Sequence, residues 1–338
     1  MDTSVMITLG FLVFAIVMFA WEKIPLSITA MVVAVGLHLS GVLSAKEAFA
    51  GFVDPNVLLF MGMFVIGEAF FATGVAVGVG NVVHKFAKTE TSLLVAVMII
   101  TGILSGFLSN TGTAAVLIPV IIGICKKSGF KQTKLLMPLV FAAAMGGNIS
   151  LIGAPGNMIA QAGLQQAGLG SFNFFDYGLV GLPILIVGTI FYATIGKRFL
   201  PDAPSHQPDG AFEGNDDYSH VPSWKKWTAA IVLILTVVAM IFEKQLGVKL
   251  YVSAWIGALV LVATNVISET AAVKSIDMKT IMLFAGSMAL GDAMVKTGTG
   301  SVIADIIVNS LGASPSPIVV LVVIFVLGVF MTNFMSNT

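Results

Sequence analysis

Leu104–Pro119, LSGFLSNTGTAAVLIP, is the stretch from which the fold of this chain is read. A long apolar segment from Ser92 to Leu108 runs into three small polar residues, Ser109, Asn110 and Thr111. Gly112 and Thr113 follow, and a second apolar segment continues to about Cys125. Lys85 and Lys88 precede this unit, and Lys126, Lys127, Lys131 and Lys134 follow it. Lysine bias marks the cytoplasmic side of a bilayer, so both ends of the unit lie on one side. The spacing therefore predicts a re-entrant helix hairpin over 91–125, with its polar tip inside the bilayer.

Such a tip has its own chemistry. Irregular backbone at membrane depth is tolerated where it is buried in protein or lines a wet cavity. The first half-helix ends in unpaired carbonyls, which suit a cation. The second begins with free N–H groups and a positive dipole end, which suit an anion. Ser109, Asn110 and Thr111 add neutral oxygens and an amide without adding a fixed charge. A tip of this kind can hold a small cation and an oxyanion side by side.

Composition agrees with a membrane setting. Hydrophobic residues are 57% of the 338, charged residues 10%, and mean hydropathy is +1.00. A soluble domain carries roughly a quarter charged residues. Net charge is zero and there is no basic tract, which excludes a nucleic-acid partner. The lone Cys125 rules out an intrachain disulfide and argues against a structural zinc site. No GxSxG or HExxH motif supports hydrolase chemistry, so no enzyme activity and no cofactor are expected.

Apolar run lengths predict an all-α membrane protein. Spans are expected at about 5–21, 24–43 and 54–80, then the hairpin. A broken span follows at 133–168, then spans at 177–196, 226–243, 250–268 and 277–296, a short helix near 300–310, and an apolar run at 317–335. Residues 201–223, rich in Pro, Gly and Asp, read as a solvated linker. With that linker in the cytoplasm, 13 of the 17 Lys and Arg fall inside, and the N-terminus lies outside.

The chain also repeats itself. Phe60, Gly62, Gly67, Glu68, Thr73 and Gly74 recur as Phe284, Gly286, Gly291, Asp292, Thr297 and Gly298, at an offset of 224. Trp21-Glu22-Lys23 recurs as Phe242-Glu243-Lys244, and Ser109-Asn110-Thr111 recurs as Ser336-Asn337-Thr338. Five spans and one hairpin separate equivalent points, so the second copy runs the opposite way. Inverted repeats with paired broken helices are the mark of a secondary transporter with its site at the repeat interface.

On the twin SNT triplets and the loop Gly146-Gly147-Asn148-Ile149-Ser150-Leu151-Ile152-Gly153-Ala154-Pro155-Gly156-Asn157, the chain resembles the divalent anion:sodium symporter family, within the superfamily of citrate-type carriers. The resemblance covers essentially the whole chain. It implies sodium-coupled, elevator-type transport of a small dicarboxylate, citrate or sulfate-class anion by a homodimer in the cell membrane. It further implies a scaffold of 1–90 and 224–312, a transport domain of 91–200, and the first half of a second hairpin at 313–338. Carried over by position, Ser109, Asn110, Gly153 and Asn337 serve sodium. Asn110, Thr111, Pro155, Asn157, Asn337 and Thr338 face the anion. Ser105 and Thr332 lie four residues before each triplet, one helical turn back, and by spacing either join the sodium ligands or bond their own i−4 carbonyls.

Two features depart from the family pattern. The loop reads Ala154-Pro155-Gly156-Asn157 where relatives often have Thr-Pro-Pro-Asn, so a hydroxyl is missing. The sequence also stops on the second triplet, and a longer reading frame, or else an inactive truncated fragment, is expected. Glu68 and Asp292 are the only acids well inside spans. They read as structural groups beside Gly67 and Gly291, where a helix break is expected, as sodium ligands, or as the coupling acids of a sodium–proton antiporter or arsenite exporter.

Overall fold

A computed structural model of the chain describes residues 2–21, 23–78, 89–128, 130–200, 218–303 and 316–334. Every long element among them is an α-helix, and none of them forms a strand. In chain order these are α1 (Thr3–Trp21), α2 (Leu26–Leu39), α3 (Ala45–Ala48), α4 (Pro55–Ala72), α5 (Glu90–Ser105), α6 (Asn110–Ser128), α7 (Thr133–Gly146) and α8 (Pro155–Gln166). They continue as α9 (Gly178–Thr194), α10 (Ser223–Ile241), α11 (Glu243–Leu246), α12 (Leu250–Ala263), α13 (Glu269–Ser275), α14 (Met278–Thr297) and α15 (Pro317–Phe334). By length and composition α1, α4, α10 and α14 can each cross a membrane. Leu179, Val187 and Ile190 of α9 and Val13 and Val17 of α1 stand exposed. Such apolar faces are costly in water and ordinary against lipid.

The described residues fall into two compact units. One gathers those of Met1–Leu58, Ile159–Ser171 and Asp277–Thr338; the other gathers those of Leu59–Met158 and Phe172–Ile276. In the first, α2 and α14 pack together around Val33, Leu37, Ala289 and Ala293. There Lys296 Nζ lies 2.8 and 2.9 Å from the two Glu47 oxygens. With the Ser44 N–H, that pairing holds the Glu47 carboxyl at about 2. In the second unit α5, α6, α7 and α9 share a core of Leu93, Val97, Met98, Leu117, Ile121, Leu139 and Leu185. The backbones of α5 and α7 touch, since a Cβ added to Gly146 would stand 2.5 Å from Gly102 Cα. The missing side chain of Gly146 allows this approach.

The repeat seen in the sequence is present in the packing. In the first unit a Cβ on Gly286 would meet the Ala30 carbonyl carbon at 2.5 Å. In the second, a Cβ on Gly62 would meet that of Ala254 at 2.9 Å. Both members of each pair are related by the offset of 224. Gly41 and Asn265 share positive φ, 78° and 55°, as do Gly74 and Gly298, 75° and 73°. Ser44 and Ser268 cap α3 and α13 alike. Buried Thr29 and Ser253 hydroxyls both lack a hydrogen-bond partner among the described residues. Helices α4 and α14 are thus one element built twice.

Two sequence expectations change. The breaks placed beside Gly67 and Gly291 do not occur, because α4 and α14 run through both positions. A glycine in α geometry costs about 1 kcal/mol and does not end a packed helix. The chain turns at Gly74 and Gly298, whose positive φ terminates a helix. The span expected to reach residue 80 therefore ends as α4 at Ala72, with a further helical turn at 75–78. The linker of 201–223 lies outside the described residues up to 217. Its far end is ordered: Lys226 Nζ donates to the Tyr218 carbonyl at 2.8 Å, and the Tyr218 ring closes over Gly74.

Candidate functional site

Helix α5 unwinds at Gly106, whose N–H still bonds back to the carbonyl of Gly102. Four residues later α6 begins. Ser109 is its cap: the hydroxyl accepts the Gly112 N–H at 3.1 Å, and the carbonyl accepts the Thr113 N–H at 2.9 Å. A serine before a helix satisfies donors that would otherwise be orphaned. Asn110 is the first residue of α6, and its side chain turns back toward α5. Thr111 stands exposed on the other side of the start.

The partner of this tip is the break between α7 and α8. Its loop, 147–154, is held from within by Asn157. Buried, Asn157 donates through Nδ2 to the carbonyls of Gly147 and Ser150, each at 2.9 Å. The Tyr177 hydroxyl donates to the Asn157 carbonyl at 2.8 Å, and the Leu151 N–H to that of Phe174 at 2.8 Å. The Ser150 hydroxyl reaches across to the Gly106 carbonyl, tying the loop to the unwound end of α5. Pro155 opens α8, a position where its missing N–H costs nothing.

Between tip and loop lies a cluster of neutral polar atoms. The Ser105 hydroxyl, fully buried, donates to the Ala143 carbonyl at 2.7 Å. One atom of the Asn110 amide lies 2.6 Å from Ser105 Oγ, 3.2 Å from the Ala143 carbonyl and 3.1 Å from the Gly153 carbonyl. Turned one way, that atom is nitrogen and hydrogen-bonds to all three oxygens. Turned the other way, it is a fourth oxygen. Four neutral oxygens grouped on the last turn of α7, the loop after it and two short side chains are the kind of donor a small monovalent cation takes. None carries charge, so a cation here adds its own to the start of α6. Gly147 is the cluster's wall: a Cβ there would stand 2.5 Å from Asn110 Oδ1.

Of the residues expected at the site, the structure brings together Ser105, Asn110 and Gly153. Asn157 and Pro155 shape the loop behind them, and Ser109 caps α6. Thr332 lies in α15, while Asn337 and Thr338 fall outside the described residues. Asp292 accepts from Gln166 Nε2 at 3.0 Å, and the neighbouring Gln165 Oε1 accepts from Asn56 Nδ2 at 3.3 Å. Glu68, its counterpart, is half-buried on α4. The Ala143 carbonyl, the Ser150–Gly106 tie and Tyr177 were not expected. A backbone carbonyl leaves no trace in the sequence, although the Gly146-Gly147 pair marks where backbones meet.

A family model described as "Citrate transporter" matches residues 16–338. Among individual proteins, the chain is similar to the uncharacterized transporter YfbS of Escherichia coli, 33% identical over 62% of this chain and 35% of that protein. A Synechocystis uncharacterized transporter, sll0640, is 31% identical over 59% of this chain and 33% of its own length. The sodium-dependent dicarboxylate transporter SdcS of Staphylococcus saprophyticus is 25% identical over 94% of this chain and 67% of its own. The chain thus spans about a third of the first two relatives it matches.

Proposed function

Because this chain belongs to the citrate transporter family, we propose that the protein is a sodium-coupled secondary transporter of a small dicarboxylate or related oxyanion. The observation that carries the reading is the neutral cluster of Ser105, Asn110 and the Ala143 and Gly153 carbonyls. In this reading sodium enters the cluster and Asn110 turns its oxygen inward. The anion then sits against the start of α6, beside Thr111, where the ion's charge and the helix dipole both favour it. No Lys or Arg occurs between Lys88 and Lys126. A dianion at the tip thus depends on sodium for counter-charge, and this dependence is the physical origin of coupling. The sodium-dependent dicarboxylate name of the SdcS relative supports the same substrate class. Residues 91–200 form the moving part in this reading and 1–90 with 224–312 the scaffold of a homodimer, with 201–223 in the cytoplasm.

The test is uptake of labelled succinate, citrate and sulfate into vesicles holding the full-length protein. Replacing external sodium by potassium is expected to abolish uptake of the correct anion, and Asn110→Ala to do the same with sodium present. Full-rate uptake without sodium would refute the proposal.

Asp292 is assigned a bracing role. Its bond from Gln166 survives in Asp292→Asn, which keeps an acceptor in place, so uptake is expected to persist. Asp292→Ala orphans the amide and costs about 1–3 kcal/mol, read as a lower unfolding temperature. Loss of all transport in Asp292→Asn and in Glu68→Gln would instead favour the antiporter reading.

A further inference from the structure

The end of α5 away from the SNT tip carries a second feature that transport of an anion does not use. A cavity of about 420 Å³ opens between the first turn of α5 and the turn after α9, walled by Glu90, Thr91, Lys134, Lys197 and Arg198 over the buried Leu200. Three cationic groups and one carboxylate line it. Lys197 Nζ donates to Thr91 Oγ1 at 3.1 Å, which holds the ammonium at the rim with two further N–H groups to give. Glu90 Oε1 is buried with no hydrogen-bond donor among the described residues. A carboxylate turns readily about χ3, so either oxygen can face the cavity.

A groove of about 670 Å³ joins this cavity at Thr91 and runs down α5 past Val95, Ala96, Ile99 and Ile100. Thr89 to Ile100 spans about 16 Å of helix at 1.5 Å per residue. One leaflet of the ~30 Å hydrocarbon core is about that deep. Head and tail requirements therefore meet at one residue. A phosphate suits the Lys and Arg groups, a hydroxyl donor suits Glu90, and an acyl chain suits the apolar stripe below.

We propose that this cavity and groove form a binding site for a single anionic phospholipid with a hydroxyl-bearing headgroup, of the phosphatidylglycerol class. The phosphate lies among Lys134, Lys197 and Arg198, a headgroup hydroxyl donates to Glu90, and one acyl chain follows α5. Glycerol phosphate alone, lacking the chain, binds more weakly. The site adjoins the hairpin that carries Asn110, so a lipid bound there steadies the base of the element that holds the oxygen cluster.

The experiment is native mass spectrometry of the full-length protein in detergent with added phosphatidylglycerol or phosphatidylcholine. Phosphatidylglycerol is expected to be retained in preference to phosphatidylcholine. Lys197→Ala with Arg198→Ala is expected to weaken retention about thirtyfold, since each of the two basic groups near a lipid surface is worth about 1 kcal/mol. Val95→Trp, which fills the groove, is expected to lower lipid retention and leave glycerol phosphate binding unchanged. Thermal unfolding in phosphatidylcholine identifies any variant that fails to fold. Equal retention of both lipids, or unchanged retention in the double variant, would overturn the site. Displacement by equimolar glycerol phosphate would reduce it to a free-phosphate pocket and overturn the lipid assignment. All of these readouts are independent of transport.

Discussion

Alanine at Gly147 is expected to disable sodium-dependent uptake while leaving the protein folded. The added Cβ would stand 2.5 Å from Asn110 Oδ1 and 2.7 Å from Nδ2, closer than any ordinary contact. The amide is the movable partner, since the loop backbone is fixed by the two bonds from Asn157. It is therefore pushed off the Ser105, Ala143 and Gly153 oxygens. Overpacking costs about 1–3 kcal/mol, and if it falls on cation binding it weakens sodium affinity about 5- to 150-fold. Measuring uptake against sodium concentration distinguishes this outcome from a general loss. The half-saturating sodium should rise, with expression and unfolding temperature close to those of the parent. An unchanged sodium dependence would remove Asn110 from the cation site.

A loss of stability that is nearly the same at two distant positions in sequence is expected from Gly62→Ala and Gly286→Ala. Each methyl would lie against a neighbouring helix backbone, at 2.9 Å from the Ala254 carbonyl carbon and 2.5 Å from that of Ala30. Backbone cannot rotate away as a side chain can, so each costs about 1–3 kcal/mol. Ala254→Gly and Ala30→Gly remove only the facing Cβ and restore part of the loss. Gly10, whose added Cβ meets nothing within 4 Å, is the control. There alanine gains helix propensity of about 1 kcal/mol. Thermal unfolding of purified protein reads all five variants, and an undisturbed Gly286→Ala would mean that α2 and α14 do not pack in this register.

The sequence exposes the breaks between α5 and α6 and between α7 and α8 because small polar residues interrupt apolar runs at Ser109-Asn110-Thr111 and at the glycine-rich loop. Unwound backbone deep in a membrane protein needs such residues, so pattern and structure share a cause. The repeat was legible for a similar reason: Gly62 and Gly286 are fixed by contact, Gly74 and Gly298 by φ. Other features depended on partners that no local pattern encodes. The Ala143 carbonyl enters the cluster because α5 and α7 meet at Gly102 and Gly146. Ser109, expected as a cation ligand by position, also caps α6 through the Gly112 N–H, a partner its position did not announce. Gly67 and Gly291 looked like breaks, yet neither takes the positive φ of Gly74 and Gly298, and φ is not written in a lone glycine.

Helix α4 begins in the first copy of the repeat but leans on Ala254 of α12, and α14 of the second copy leans on Ala30 of α2. Each unit is consequently stitched from both copies. A ribosome that has released only the first copy has threaded α4 into the bilayer before its neighbour exists, leaving a small-residue stripe against lipid until α12 arrives. The two copies must mature together, so a gene cut within residues 201–217 should yield working protein only when both pieces are made in the same cell.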